Sequence, residues 1–249
     1  MSSNFFGLPR ELRNQIYELV LPHGETIDPW VDYDGRQKFT PGLLCANKAV
    51  YREVSSLFYT RNRFDFTRGT STDLASFLGQ IRRDNASYIR HIIVSFPEFH
   101  YLSSGNITLE ADSIGTLMNI QSGCANLSSL TTSLYSTNAM ELRLDALDNP
   151  KVVTEALELV NARFRAISSL KKIIVEVYKD GASDYVRRKM EIYGWTISTT
   201  ECVEEEDFEG GFDDLEHDGY GYDGYSDDYE DDDDYDIDND SDFWRRAGD

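Results

Sequence analysis

The chain has few cysteines and histidines, and this scarcity limits its chemistry. Only three cysteines and four histidines occur among 249 residues. Neither type shows the paired spacing of a zinc site, such as Cys-x-x-Cys or His-x-x-x-His, and the cysteines do not form the pattern of a disulfide framework. We therefore expect no bound metal, no cofactor and reduced thiols, which is typical of proteins of the cytoplasm or nucleus.

Long apolar segments are also missing. No run approaches the roughly 18 apolar residues that a membrane-spanning helix needs. The first residues, Met1 to Pro9, lack the basic start and the apolar stretch of a secretory signal. We expect a protein that remains inside the cell and does not enter a membrane.

Sequence motifs that carry catalysis are absent. There is no Gly-x-Ser-x-Gly nucleophile elbow, no phosphate-binding Gly-rich loop and no dinucleotide fingerprint. His91 lies within a predicted strand, where structural histidines outnumber catalytic ones, and Asp32-Tyr-Asp-Gly35 lacks the ligand spacing of a calcium loop. Basic residues occur as short clusters such as Arg82-Arg83, without the interleaved aromatics of a nucleic-acid groove. We predict neither an enzyme nor a direct nucleic-acid binder.

Acidic residues are abundant, and they are concentrated at one end of the chain. The net charge is −21, from 45 acidic and 24 basic residues. Residues 201–249 contain 23 of the acids and only two bases, Arg245 and Arg246, so residues 1–200 are electroneutral. Like-charge repulsion and the shortage of aliphatic residues predict a disordered acidic tail, either a solubilising spacer or a binding element for basic proteins. Its densest run is Asp231, Asp232, Asp233 and Asp234.

Apolar residues at helical spacing predict two helices within residues 1–66. The first helix begins at Pro9. Its apolar stripe consists of Leu12, Ile16, Leu19 and Val20. An Asp-Gly turn between short strand-like segments predicts a small hairpin or loop over residues 26–40. The second helix begins after Pro41-Gly42 and ends near residues 60–62, and a short strand is expected at Phe64–Phe66.

Residues 67–200 alternate between amphipathic helices and strands rich in branched residues, the pattern of a parallel sheet flanked by helices. The helices are expected near residues 74–81, 112–124, 151–167 and 182–193. The strands are expected at residues 89–96, 127–134, 170–177 and 195–197. The first three strands align on Ile89, Leu127 and Leu170, whose intervals of 38 and 43 residues suggest a loose repeat. Right-handed crossovers would then place the helices on one face and leave the other face, or the strand ends, open.

The segment Leu8-Pro9-Arg-Glu-Leu-Arg-Asn-Gln-Ile-Tyr-Glu-Leu-Val20 resembles the opening and first helix of an F-box. The segment from Leu43 through Tyr51-Arg-Glu53 to Phe66 is similar to a large, mostly uncharacterised group of F-box-like proteins in filamentous ascomycete fungi. The resemblance is close over residues 5–66 and looser up to Val177. In that second part, the alternation of helices and strands is similar to the irregular leucine-rich repeats that often follow an F-box.

An F-box implies that the N-terminal helices dock onto the Skp-type linker subunit of a cullin ubiquitin ligase, while the following domain selects a protein substrate. The residues that match the apolar positions of this motif are Leu8, Pro9, Leu12, Ile16, Leu43, Leu44 and Val54. The chain departs from the pattern in its long insert at 25–40. It also has Glu53-Val-Ser55 where some relatives carry a second Glu-x-Arg. Alternatively, these helices pack only within their own domain.

We predict an α/β protein in three parts. An F-box-like helical motif with a short hairpin insert occupies residues 1–66, a leucine-rich-repeat-like domain with a mainly parallel sheet occupies 67–200, and the disordered acidic tail occupies 201–249. The predicted function is a non-enzymatic protein-interaction adaptor that recruits a protein substrate to a Skp-cullin-F-box ubiquitin ligase. The alternative is a binding module unrelated to ubiquitin that engages basic proteins through its tail.

Overall fold

A computed structural model describes residues 5–21, 24, 26–30, 47–179, 181 and 184–201. Eight α-helices and eight strands occur among these residues. No helix in this part of the chain is both long and apolar enough to cross a membrane. Leu43, Leu44, most of the predicted hairpin and residues 202–249, which include the four consecutive aspartates, lie outside the described residues.

Helices and strands alternate along the chain, which confirms the predicted α/β class. The helices are α1 (Arg10–Val20), α2 (Lys48–Arg61), α3 (Ser71–Gln80), α4 (Arg82–Tyr88), α5 (Ala111–Gly123), α6 (Leu134–Asp145), α7 (Pro150–Arg165) and α8 (Asp184–Ile192). The strands are β1 (Thr26–Ile27), β2 (Arg63–Asp65), β3 (His91–Val94), β4 (Phe99–Ser103), β5 (Asn106–Leu109), β6 (Ser129–Thr132), β7 (Lys172–Tyr178) and β8 (Thr196–Thr200). A short 3-10 helix at Phe5–Gly7 precedes α1.

Six strands form one sheet in the order β1-β2-β3-β6-β7-β8, and every neighbouring pair is parallel. The remaining strands, β4 and β5, form a separate antiparallel hairpin. Because the strand order follows the chain order, right-handed crossovers place all the connecting helices on one face of the sheet. The mainly parallel sheet is therefore confirmed, whereas the leucine-rich-repeat character stays a prediction.

The register of the sheet agrees with the alignment made from the sequence. His91 pairs with Ser129, and Ser129 pairs with Lys172. Two residues before each of these lie the aligned apolar residues Ile89, Leu127 and Leu170, and all three are buried. In each of these three units, the paired strand residue thus lies two positions after an equivalent buried residue.

The sheet includes residues of the predicted F-box-like motif. Thr26 and Ile27 pair in parallel with Arg63 and Phe64 of β2. β2 in turn pairs with β3, so the sheet extends across the boundary predicted at residue 66. The division into residues 1–66 and 67–200 stays a prediction.

The helices bury one face of the sheet. On each strand, every second residue packs into this core, because successive side chains of a strand lie on opposite faces of the sheet. These strand residues are Phe64, Ile92, Val94, Leu130, Ile173, Val175 and Val177. α1 is not part of this core, because its buried side chains pack in a separate small cluster with α2. Gly194 follows α8 with a φ of +79°, the left-handed conformation in which a glycine commonly ends a helix.

Candidate functional site

α1 has two apolar faces, and only one of them is buried. Tyr17 and Leu21 pack against Val50 and Val54 of α2. The second face has Leu12, Ile16, Leu19 and Val20 at helical spacing, and these side chains are 44%, 40%, 85% and 49% exposed. We call these four residues the α1 stripe. A contiguous exposed patch of aliphatic side chains is a feature of interaction surfaces.

The residues predicted to bind a partner lie on both sides of α1. Pro9 is exposed and Leu8 is half-buried at the start of the helix, and Leu12 and Ile16 belong to the α1 stripe. Val54 has no exposed surface, so in this structure it stabilises the contact between α1 and α2 from within. Leu43 and Leu44 lie outside the described residues.

A charged network fixes α1 to α2. Nε of Arg13 donates to Oε2 of Glu53 at 2.9 Å, and the Tyr17 hydroxyl donates to the same oxygen at 3.1 Å. A second Arg13 nitrogen donates to Oε1 of Glu53. Arg13 also donates to the carbonyl oxygen of Leu8 at 2.6 Å, which connects the turn before α1 to the same carboxylate. The Arg13 and Glu53 side chains are only 12% and 17% exposed, so water screens their attraction less than at an open surface.

The network also fixes the charge of its members. The hydrogen bond from Arg13 lowers the pKa of Glu53, while burial opposes this effect. Burial, followed by the hydrogen bond to Glu53, raises the pKa of Tyr17 to about 12. Glu53 is therefore ionised and Tyr17 protonated at neutral pH. This charge state holds α1 in the orientation that leaves the α1 stripe in solvent.

Sequence reasoning missed this network, although its members stand in the segments that carry the F-box resemblance. Arg13 belongs to Glu11-Leu-Arg13, and Glu53 begins Glu53-Val-Ser55. The available signal was a pair of opposite charges on the inward faces of neighbouring helices. Arg13 precedes the buried Tyr17 by four residues, so the two share one side of α1.

The reactive side chains among the described residues do not converge on one place. Burial raises the pKa of the Cys124 thiol to about 12, which keeps it protonated and unreactive. His100 lies in the β4–β5 hairpin, edge-on to Tyr101 at 4.2 Å between ring centroids. His91 lies elsewhere, as the first residue of β3 in the six-stranded sheet. Within the described ranges, no group of three or more His, Cys, Asp or Glu residues could hold a metal ion.

A small cavity of about 200 Å³ lies at the carboxyl ends of β2 and β3. This is the edge at which parallel sheets often bind ligands. Glu98, Glu110 and Asp112 are among the residues that line it, and Asp112 accepts a hydrogen bond from the Ser71 backbone N–H at 2.8 Å. Pockets for drug-sized ligands have volumes of about 300–1,000 Å³, so this cavity is too small to enclose one.

Comparison with known proteins found no family model, no curated protein and no solved structure that matches this chain. The resemblance to F-box-like proteins thus stays a prediction. Function has to be inferred from the residues described above, and among them the α1 stripe is the surface that has the features of a docking site.

Proposed function

We propose that this protein is a non-enzymatic interaction adaptor whose α1 stripe docks onto a partner protein. The partner implied by the F-box resemblance is the Skp-type linker subunit of a cullin ubiquitin ligase, to which the adaptor would bring a protein substrate. The observation that carries the proposal is the exposure of the α1 stripe, at 40–85% for its four aliphatic side chains. Leu8 and Pro9, which match the F-box opening, stand at the start of the same helix.

The α1 stripe has enough apolar surface to contribute to binding. Covering a fully exposed Leu or Ile side chain contributes about 1.5–3 kcal/mol. Leu12 and Ile16 are less than half exposed, so covering them would contribute about 1 kcal/mol each. The contacts of Arg13 with Glu53 add to this, because a helix that is already held in place loses less conformational entropy on docking.

The experiment replaces Leu12 and Ile16 together by aspartate and measures binding of the full chain to a purified fungal Skp-type linker by isothermal titration calorimetry. Two carboxylates inside an apolar interface remove the burial and add a desolvation cost, so we expect binding at least about 100-fold weaker. The matched control is Met118→Asp with Leu142→Asp. These side chains are 58% and 55% exposed on α5 and α6, and this variant should bind like the unaltered chain.

Two outcomes would contradict the proposal. If the unaltered chain shows no binding at about 100 μM, the linker is not the partner. If both double variants lose binding equally, the α1 stripe is not the docking surface. The urea midpoints of both variants should stay close to that of the unaltered chain, because exposed substitutions usually change stability by less than about 0.5 kcal/mol each.

A second function is favoured by the distribution of charge in the sequence. Residues 201–249 contain 23 acidic side chains against two arginines. In this alternative the tail binds basic proteins, independently of ubiquitin and of the α1 stripe. Deletion of 201–249 should then abolish binding of basic partners at low salt while the rest of the chain stays folded. If the same partners still bind after this deletion, the tail is a spacer and not a binding element.

A further inference from the structure

β8 forms one edge of the six-stranded sheet, and its outward side lacks the features that usually prevent strands of different molecules from pairing. Among the described strands, β8 has one neighbour, β7, with which it pairs continuously from Thr196 to Thr200. Exposed edges are commonly protected by charged residues, proline, a bulge or a very short strand. β8 has the uncharged sequence Thr-Ile-Ser-Thr-Thr, whereas the strand at the opposite edge, β1, is only two residues long. We call the outward side of this strand the β8 edge.

The backbone groups of Ile197 and Thr199 point away from β7. The Lys179 N–H donates to the Thr200 carbonyl oxygen at 2.9 Å, so the backbone of Thr200 faces β7. Because the backbone groups of successive strand residues alternate between the two sides, Ile197 and Thr199 direct their N–H and C=O groups outward. Within the described ranges, neither residue makes a hydrogen bond outside the sheet. The β8 edge therefore offers donors and acceptors to a further strand.

The side chains of β8 leave this edge accessible. Thr196, Ser198, Thr199 and Thr200 are exposed, and Ile197 is half-buried against the main core. Threonine and isoleucine are also residues that favour strands. A second strand can therefore reach the β8 edge from solvent.

We propose that β8 pairs with β8 of a second copy of the chain, antiparallel and about a two-fold axis through Ser198. This register places Ile197 opposite Thr199 of the second copy, so their outward backbone groups exchange both hydrogen bonds on each side of the axis. Thr196 lies opposite Thr200, and Ser198 lies opposite itself, so no like charges meet within the paired strands. Every residue of β8 is paired, the two sheets become continuous, and contact of a surface with itself closes at two copies.

The charge of the chain favours the antiparallel pairing over a parallel one. Residues 201–249, which follow β8 directly, contain 23 acidic side chains against two arginines. In a parallel pairing, the two acidic segments would begin about 4.8 Å apart, the spacing of neighbouring strands. In the antiparallel pairing, the Thr200 residues of the two copies lie at opposite ends of the paired strands, about 14 Å apart. This distance exceeds the Debye length of about 8 Å at physiological salt, so salt screens the repulsion.

The first test cross-links the two copies at the proposed axis. Residues that face each other there have Cα atoms about 4.5 Å apart, which a disulfide can span. In the full chain with Cys45→Ser and Cys202→Ser, we expect Ser198→Cys to form a disulfide-linked dimer in oxidised glutathione. The matched control is Thr200→Cys, which would lie about 14 Å from its copy and should cross-link at least about tenfold less. Equal cross-linking of the two variants would overturn the proposal.

The second test measures the dimer by sedimentation velocity of the full chain at about 5–500 μM. We expect reversible dimerisation that tightens as salt is raised from about 0.05 to 0.3 M, because salt screens the acidic segments. Thr199→Pro removes an outward N–H, a change that an edge strand tolerates, and should weaken the dimer at least about tenfold. The control, Thr199→Val, keeps this N–H and should associate like the unaltered chain.

Three results of the second test would overturn this proposal. One is a chain that remains monomeric up to about 500 μM. Another is a dimer of unchanged affinity in Thr199→Pro. The third is loss of the dimer in Leu12→Asp with Ile16→Asp, which would assign self-association to the α1 stripe. If Thr199→Pro fails to fold, Ser198→Lys carries the same prediction, because it places two like charges opposite each other at the axis.

Discussion

Glu53 holds α1 against α2, and replacing it with glutamine should release α1 without unfolding the rest of the chain. The buried residues of α1, Tyr17 and Leu21, belong to a small cluster that is separate from the main core. Glutamine keeps the shape of Glu53 and removes its charge. The change is therefore confined to the network that Arg13 and Tyr17 make with this residue.

The expected magnitude follows from the two hydrogen bonds that Arg13 donates to Glu53. A hydrogen bond to a charged group contributes about 1.5–3 kcal/mol, and a neutral one about 0.5–1.5 kcal/mol. Glutamine has one acceptor oxygen in place of two, so one of these bonds weakens by about 1–1.5 kcal/mol and the other is lost, at about 1.5–3 kcal/mol. The docking of α1 therefore loses about 2.5–4.5 kcal/mol, which corresponds to an approximately 70- to 2,000-fold larger population of undocked α1.

Hydrogen exchange read by mass spectrometry measures this population directly. Peptides from 10–21 should exchange about 70- to 2,000-fold faster in Glu53→Gln, while peptides from α7 should be unchanged. The control is Glu155→Gln, because Glu155 makes an exposed ion pair with Lys151 at 3.8 Å, a kind of pair that contributes little. Unchanged exchange of 10–21 in Glu53→Gln would refute the role of the network.

Acid should have the same effect as the substitution. Because Arg13 lowers the pKa of Glu53, the carboxylate contributes stability that is present above the ordinary glutamate value of 4.5 and is lost as the pH falls through the folded-state pKa. The protection of the α1 amides, corrected for the slower intrinsic exchange in acid, should therefore fall as the pH drops in the unaltered chain, and much less in Glu53→Gln. Parallel acid profiles in the two proteins would contradict this.

Two further predictions concern other parts of the fold. Arg187→Ala should destabilise the chain by about 3–5 kcal/mol in urea unfolding, because it leaves the carboxylate of Glu141, which has no exposed surface, without its partner. Arg187→Leu with Glu141→Leu should recover most of the loss, and a cost below about 1 kcal/mol for Arg187→Ala would contradict this reasoning. The lowered pKa of His91 means that the unfolded chain takes up the proton first as the pH falls below 6.5, so folding stability decreases there. His91→Gln should remove this decrease in urea midpoints between pH 7.5 and 5.5, and a pH-independent difference between the two proteins would show that His91 is not its source.

The sheet could be predicted from the sequence because each buried strand follows an amphipathic helix and begins from an equivalent apolar residue. The β4–β5 hairpin was missed, although Ser104-Gly105 is a turn signal and Gly105 has a φ of +78°. α4 was missed because the break between α3 and α4 is at Arg82, which has a φ of +67°. A non-glycine residue rarely adopts this conformation, so the sequence does not indicate a new helix there. The start of α6 was also missed, because Ser133 and Leu134 continue the strand pattern in the sequence. In the structure, the Thr137 hydroxyl donates to the Ser133 carbonyl at 2.8 Å in the first turn of a helix.

The candidate site could be located from the sequence, but its exposure could not. Helical spacing identified the α1 stripe, and the same spacing is typical of a face packed in a core. Which face is buried depends on tertiary contacts, here those of Tyr17 and Arg13 with α2. The spacing of apolar residues marks both faces of α1 as apolar and does not show which of them is buried.

The most direct measurement on the α1 stripe is the dissociation constant between the full chain and the Skp-type linker, with and without Leu12→Asp and Ile16→Asp. Docking through the α1 stripe predicts measurable binding that weakens at least about 100-fold in this variant while the urea midpoint is retained. Equal affinities for the variant and the unaltered chain would contradict it.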